Sequence, residues 1–107
     1  MSYIYAFIRE DLPPAQKIVQ LGHACHEAGK LIDHREHKEP SSLILLSAKD
    51  EDDLVMISRK IDRAGIAHSM FFEPDNGMGY SAICTRPITA DRERAFFRKW
   101  DLYRHTY

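Results

Sequence analysis

The chain opens on an unbroken apolar and aromatic run, YIYAFIR at 3–9, which stops at the charged, proline-bearing EDLPP. A run of this length, rich in aromatic and β-branched residues and ended by a turn signal, predicts a buried strand. Pro13 and Pro14 suit a loop-to-helix junction, because proline is tolerated in a first helical turn and not in an interior. A helix is predicted over 14–34, with Ile18, Leu21, Gly22, Cys25, Ala28, Gly29 and Ile32 recurring at spacings of three and four as its core stripe. The two glycines on that stripe would permit close packing. Gln16, Gln20, His23, Glu27, Lys30 and His34 form the complementary polar face, whose plainest explanation is the solvent side.

After the polar stretch HREHKEPSS, the apolar SLILLSA at 42–48 reads as a central strand. DEDDLVMISRKIDRAG begins with acidic residues suited to a helix N-terminus, carries the stripe Leu54, Ile57 and Ile61, and closes on Arg63 ahead of a glycine stop at Gly65. IAHSMFFE and GYSAICTRP read as two strands joined by the turn-rich PDNGMG, and TADRERAFFRKW as a closing helix that Thr89 caps. The predicted order is β-α-β-α-β-β-α. With no internal repeat or low-complexity segment, an α/β sandwich around a mixed four-stranded sheet is the economical architecture.

Composition narrows the classes. A chain of 107 residues, 44% hydrophobic and 29% charged, is expected to be one soluble globular domain spanning 1–107. Two cysteines, Cys25 and Cys84, and no basic-then-apolar leader argue against a disulfide framework or secretion, so a reduced, cytoplasmic setting is expected. No apolar run approaches the roughly 18 to 20 residues that span a bilayer, so no membrane role is expected. A net charge of -1 and a pI near 6.6 argue against coating nucleic acid by bulk charge alone. A local basic patch stays open in Arg86, Arg92, Arg94, Arg98, Lys99 and Arg104, interspersed with Asp91, Glu93 and Asp101, although a solvated charged helix is the plainer explanation.

The most concentrated chemistry lies on the first helix. His23, Cys25, His26 and Glu27, with His34 or His37, present zinc-binding side chain types. At 100° per residue Cys25 points about 160 to 200° from His23, onto the apolar face, and His68 stands alone elsewhere, so neither a metal nor another cofactor is expected. Nucleophilic catalysis has no local pattern: there is no Gly-x-Ser-x-Gly elbow, and both cysteines lie in apolar runs. DNGMG lacks the lysine and following helix of a phosphate loop. What the residues leave is water activation, with His23 and a carboxylate, Glu73 or Asp75, converging with Ser81 while Gln20 and Ser81 orient an ester. Glu10, Pro13 and Glu73 all fall at the carboxyl ends of predicted strands, where open α/β sheets bind ligands.

The order and spacing of REDLPP, QLGHA, DEDDL, AGIAH and the closing RP, over about residues 3 to 104, resemble the type 2 peptidyl-tRNA hydrolases of archaea and eukaryotes. AHSMFFEPDN, CTRP and FRKWDLYR are similar to a diverged branch, the peptidyl-tRNA hydrolase domain-containing proteins. The resemblance implies a three-layer α/β/α fold, commonly a homodimer, that hydrolyses the ester joining a peptide to tRNA, with peptidyl-tRNA or tRNA as partner. Gln20, His23 and Ala24 fall on the glutamine, histidine and alanine of the family's first-helix pattern. Gln16 falls on its lysine, and Lys17 comes one residue late, about 100° around the helix. Glu73 occupies the family's aspartate position, the loop after it is shortened to PDNGMGY, and Ser81 aligns with a family threonine. Taken with the water-activation reading, the resemblance makes His23, Glu73, Asp75 and Lys17 the expected catalytic residues, and Gln16, Gln20 and Ser81 the expected substrate-binding ones. The substituted lysine and shortened loop keep a second class open, a catalytically silent module that binds tRNA or a protein.

Overall fold

A computed structural model describes residues 1–36 and 38–103 of the chain. Strands β1 (Tyr3–Arg9), β2 (Ser42–Ala48), β3 (His68–Glu73) and β4 (Gly79–Thr85) form one sheet in the order β2-β1-β4-β3. β1 runs parallel to β2, and β4 runs antiparallel to both β1 and β3. The sheet is therefore mixed, and the carboxyl ends of β1, β2 and β3 share one edge with the start of β4.

Helix α1 (Pro14–Ala28) covers one face of the sheet. Its Ala24 and Ala28 pack with Ala6, Ile8, Ala82 and Cys84. Helices α2 (Glu51–Arg63) and α3 (Asp91–Phe96) cover the other, where Leu54, Ile57 and Ile61 meet Tyr5, Phe7, Leu46, Ile83 and Phe97. The layers are helix, sheet, helix pair, and the element order is the one the sequence predicts. Burying both faces explains why β1 reads as a continuous apolar run and not as an alternation.

The best-marked helix in sequence is also the best capped. Asp50 accepts the backbone N–H of Asp53 at the start of α2, and Glu51, Asp52 and Asp53 fill its first turn. At the far end Gly65 takes φ +76 and two crossed bonds close the helix: Gly65 N–H to the Asp62 carbonyl, and Ile66 N–H to the Ile61 carbonyl. The other helices depart from expectation at their ends. α1 stops at Ala28, with a 3₁₀ turn over Gly29–Leu31 and Ile32 already extended, in place of a helix to 34. Glycine at 29 is a poor helix former by about 1 kcal/mol relative to alanine, and the exposed Leu31 offers no burial in return. Thr89 does not cap α3: Ala90 is the N-cap, because Ile88 pairs with Tyr3 and holds the chain extended up to that point.

The core stripe of α1 is also corrected. Its buried residues are Gln20, Ala24 and Ala28, whereas Ile18 is 75% exposed. A Cβ at Gly22 or Gly29 would have open space around it, so alanines and not glycines set the close approach to the sheet. The segment 101–103 lies along the outer edge of β2, with Tyr103 N–H donating to the Leu45 carbonyl and Ser47 N–H to that of Asp101. It covers part of an edge that would otherwise present unpaired backbone groups.

Candidate functional site

Gln20 is fully buried between α1 and the sheet, and its amide is the centre of a polar chain. The Ser81 hydroxyl, also fully buried, donates to Gln20 Oε1 at 2.7 Å. Gln20 Nε2 donates to Glu73 Oε1 and to Gln16 Oε1, each at 3.3 Å. Burying a primary amide without partners is expensive, and these three bonds are what make position 20 tolerable on the sheet side of the helix. The reading of Gln20 as part of a solvent face is thereby overturned.

A β-bulge brings Ser81 there. Phe71 pairs with Ala82 and Phe72 with Tyr80, so Ser81 is the extra residue on β4. Strict alternation would send Ser81 to the α2 side, opposite Ala82; the bulge turns both toward α1. Glu73 needs no such device. Ser69, Phe71 and Glu73 alternate along β3 and all face α1, where Ser69 donates to the Ala24 carbonyl at 2.7 Å and the Phe71 ring stacks on His23 with centroids 4.4 Å apart and planes within 8°. The imidazole of His23 stays exposed, one turn along α1 from Gln20.

Four expected residues are thus joined by hydrogen bonds, Gln16, Gln20, Glu73 and Ser81, and His23 flanks them on Phe71. Lys17 is not brought to them. Its ammonium donates to the Tyr103 hydroxyl at 3.2 Å, in a groove shared with Leu45 and Ile18 on the β2 flank of α1. Glu73 lies on the opposite edge strand, so the one-residue offset carries Lys17 to the wrong side of the helix, and its length does not compensate. Asp75 is exposed on a 3₁₀ turn over Asp75–Gly77, and its carboxylate makes no hydrogen bond among the described residues.

The expected hairpin turn is built on left-handed backbone at Asn76, Gly77 and Gly79. Two residues that motif reasoning passed over hold it. Arg9, at the end of β1, forms a two-pronged pair with Asp11 and donates to the carbonyls of Met78 and Tyr80 at 2.6 and 3.0 Å. The guanidinium holds the Asp11 carboxyl below its ordinary range, chiefly through that hydrogen bond. Glu51, in the first turn of α2, accepts the Tyr80 N–H at 2.7 Å. The signal for Arg9 was in the sequence: an arginine closing an apolar strand two residues before an aspartate.

The zinc candidates disperse. Cys25 packs inward, Glu27 pairs with Lys30 at 2.7 Å, and His26 and His34 are exposed. His37 lies outside the described residues, as does Arg104. Among the described residues no three His, Cys, Asp or Glu side chains are grouped to hold a metal. His68 bonds Ser58 at 2.7 Å between α2 and β3. In the basic C-terminal region Arg86 pairs with Glu93 at 2.7 Å and Arg94 lies 3.9 Å over the Tyr3 ring, while Arg92 and Arg98 are exposed. No described helix is long and apolar enough to cross a membrane.

Comparison with models of known protein families gives no match to this chain, and comparison with curated protein sequences gives none either.

Proposed function

We propose that the chain is a peptidyl-tRNA hydrolase of the type 2 kind, cleaving the ester between a peptide and the ribose of tRNA. The observation that carries the reading is the buried chain from Ser81 through Gln20 to Glu73, which holds a carboxylate at the carboxyl edge of the sheet, on the same strand as Phe71, against which the exposed His23 imidazole stacks. A carboxylate and an imidazole so held suit taking a proton from water as its oxygen attacks the ester carbonyl, and returning it to the departing ribose oxygen. Gln16 spends its carbonyl oxygen on Gln20, which leaves its NH₂ free to donate to the developing oxyanion. A neutral donor thus stands where the family's pattern has a cation.

The test is release of peptide from peptidyl-tRNA by the purified chain, with His23→Ala as control. Turnover that falls about 100-fold or more in the variant supports the reading. Absence of release by the wild type at micromolar enzyme rejects it.

One observation favours a second reading, a silent member that binds tRNA or protein: the nearest lysine, Lys17, is engaged with Tyr103 on the far flank of α1. Binding of tRNA through phosphates would weaken steeply between two salt concentrations, whereas salt-independent or absent binding points to a protein.

A further inference from the structure

The basic C-terminal region sorts into two parts. Arg86 is spent on Glu93, whereas Arg94 and Arg98, four residues apart on α3 and the 3₁₀ turn Phe97–Lys99 that continues it, pair with no carboxylate among the described residues. Both line a cavity of about 270 Å³ beside β2, on the opposite face of the sheet from Gln20. Its floor is the Tyr5 and Phe97 rings, buried and stacked with centroids 4.2 Å apart, and its sides include Trp100, Ile44 and the 57% exposed Leu102. No carboxylate lines it. Arg94 lies against the Tyr3 ring and its Nε is buried without a hydrogen-bond partner. Guanidinium groups at an apolar wall with no acid to pair keep their forked donors for an anion from outside. The volume is near the lower end for ligand pockets, so the occupant is a single ring system and not an extended molecule.

We infer that this cavity is a nucleotide site, in which a base packs on the apolar wall with Trp100 beside it and the phosphate is held by Arg94 and Arg98. Contact between a base and an aromatic side chain is tolerant of sequence, because every base has a π face, and the guanidinium fork matches phosphate oxygens. Inorganic phosphate would leave the apolar wall uncovered, and an aliphatic anion would make no use of the indole. The nucleotide comes free or as an unpaired residue of an RNA strand, for which Arg92 and Lys99, exposed on the same elements, offer further phosphate contacts. The cavity shares no residue with the Ser81, Gln20 and Glu73 chain, so binding there is separate from hydrolysis and either can fail alone.

Trp100 is the only tryptophan of the chain, so its fluorescence reads occupancy of the cavity. The full chain is titrated with AMP, adenosine, inorganic phosphate, octanoate and a single-stranded oligoadenylate. AMP or the oligoadenylate is expected to change the emission saturably, with adenosine and phosphate each about tenfold weaker or worse. Arg98→Ala is expected to weaken the nucleotide about tenfold, the loss of one hydrogen bond to a charged group, at an unchanged melting temperature because Arg98 is exposed. An oligoadenylate that binds more tightly than AMP, with a log-log salt slope that falls by about 1 in the variant, assigns an RNA strand; AMP binding as tightly or more so assigns the free nucleotide. No saturable change with either, phosphate or octanoate binding as tightly as the nucleotide, or undiminished binding by Arg98→Ala would each overturn the inference. Should the variant not fold, the ranking of the five ligands on the wild type decides alone.

Discussion

The Ser81 hydroxyl donates to Gln20 Oε1 at 2.7 Å with both side chains fully buried, and this bond holds the first helix to the fourth strand through polar atoms inside an otherwise apolar layer. Gln20→Leu keeps the volume and removes the amide, leaving the Ser81 hydroxyl with only a long 3.4 Å contact to the Phe71 carbonyl and one side of Glu73 without its partner. The expected loss is about 1 to 3 kcal/mol in urea unfolding. Adding Ser81→Ala should recover part of it, because both polar partners are then gone and no buried hydroxyl is orphaned. Strictly additive losses would mean that the two residues do not depend on each other.

Arg9 is the other buried polar anchor, and its partner sets a pH dependence. The Asp11 carboxyl is depressed in the folded state by its hydrogen bond to Arg9. A depressed carboxylate adds stability above its unfolded value, about 3.9, and that stability is lost as pH falls through the lower folded value. The Asp11 side chain is 41% exposed, so solvent screening keeps the contribution near that of a surface pair, up to about 1 kcal/mol. Unfolding of the wild type measured from pH 6 to pH 2 should therefore show a stability gain over Asp11→Asn near neutrality that vanishes in acid. A constant difference across the range would contradict the pairing.

Gly79 opens β4 at φ +74, and a Cβ there would collide with the carboxylate of Glu51, which accepts the neighbouring Tyr80 N–H. The carboxylate can swing away, but only by giving up that bond, and the backbone strain remains. Gly79→Ala should destabilise by about 1 to 2 kcal/mol from the left-handed conformation, plus about 1 kcal/mol for the lost hydrogen bond. Combining it with Glu51→Ala should give less than the sum of the two single losses, since the bond can be lost only once. Thermal melts of the three variants provide the measurement.

What the sequence revealed and what it hid divide along physical lines. The bounds of β1 and β2 and both ends of α2 follow from local signals: continuous apolar runs, an Asp50 cap, and a glycine in left-handed conformation. The rotation of α1 was hidden because it is settled by partners distant in the chain. Apolar Ile18 faces solvent and polar Gln20 the core only because Ser81 and Glu73 supply hydrogen bonds, and nothing local to residues 14–28 announces them. Ser81 was legible as a candidate hydroxyl, but what aims it was not, since the bulge breaks the alternation by which a strand's faces are read. Lys17 shows the converse. One residue of helical offset, visible in the sequence, sufficed to carry it to the opposite flank.

Gln16 is where the proposed chemistry can be pressed hardest. It sits half-buried at the end of the polar chain, accepting from Gln20 at 3.3 Å, and its free NH₂ is the neutral donor assigned to the ester oxyanion. A lysine there offers a charge-assisted donor, roughly twice as strong as a neutral one, so Gln16→Lys should stabilise the transition state further by about 1 to 2 kcal/mol. At about 1.4 kcal/mol per tenfold, kcat/KM on peptidyl-tRNA should rise on the order of tenfold. The same change removes the acceptor of one Gln20 N–H, so the variant should also unfold more easily by about 1 kcal/mol. Rate and stability are predicted to move in opposite directions, which a general loosening of the helix would not produce. A fall in kcat/KM with stability unchanged would place the reacting carbonyl away from position 16 and remove Gln16 from the mechanism.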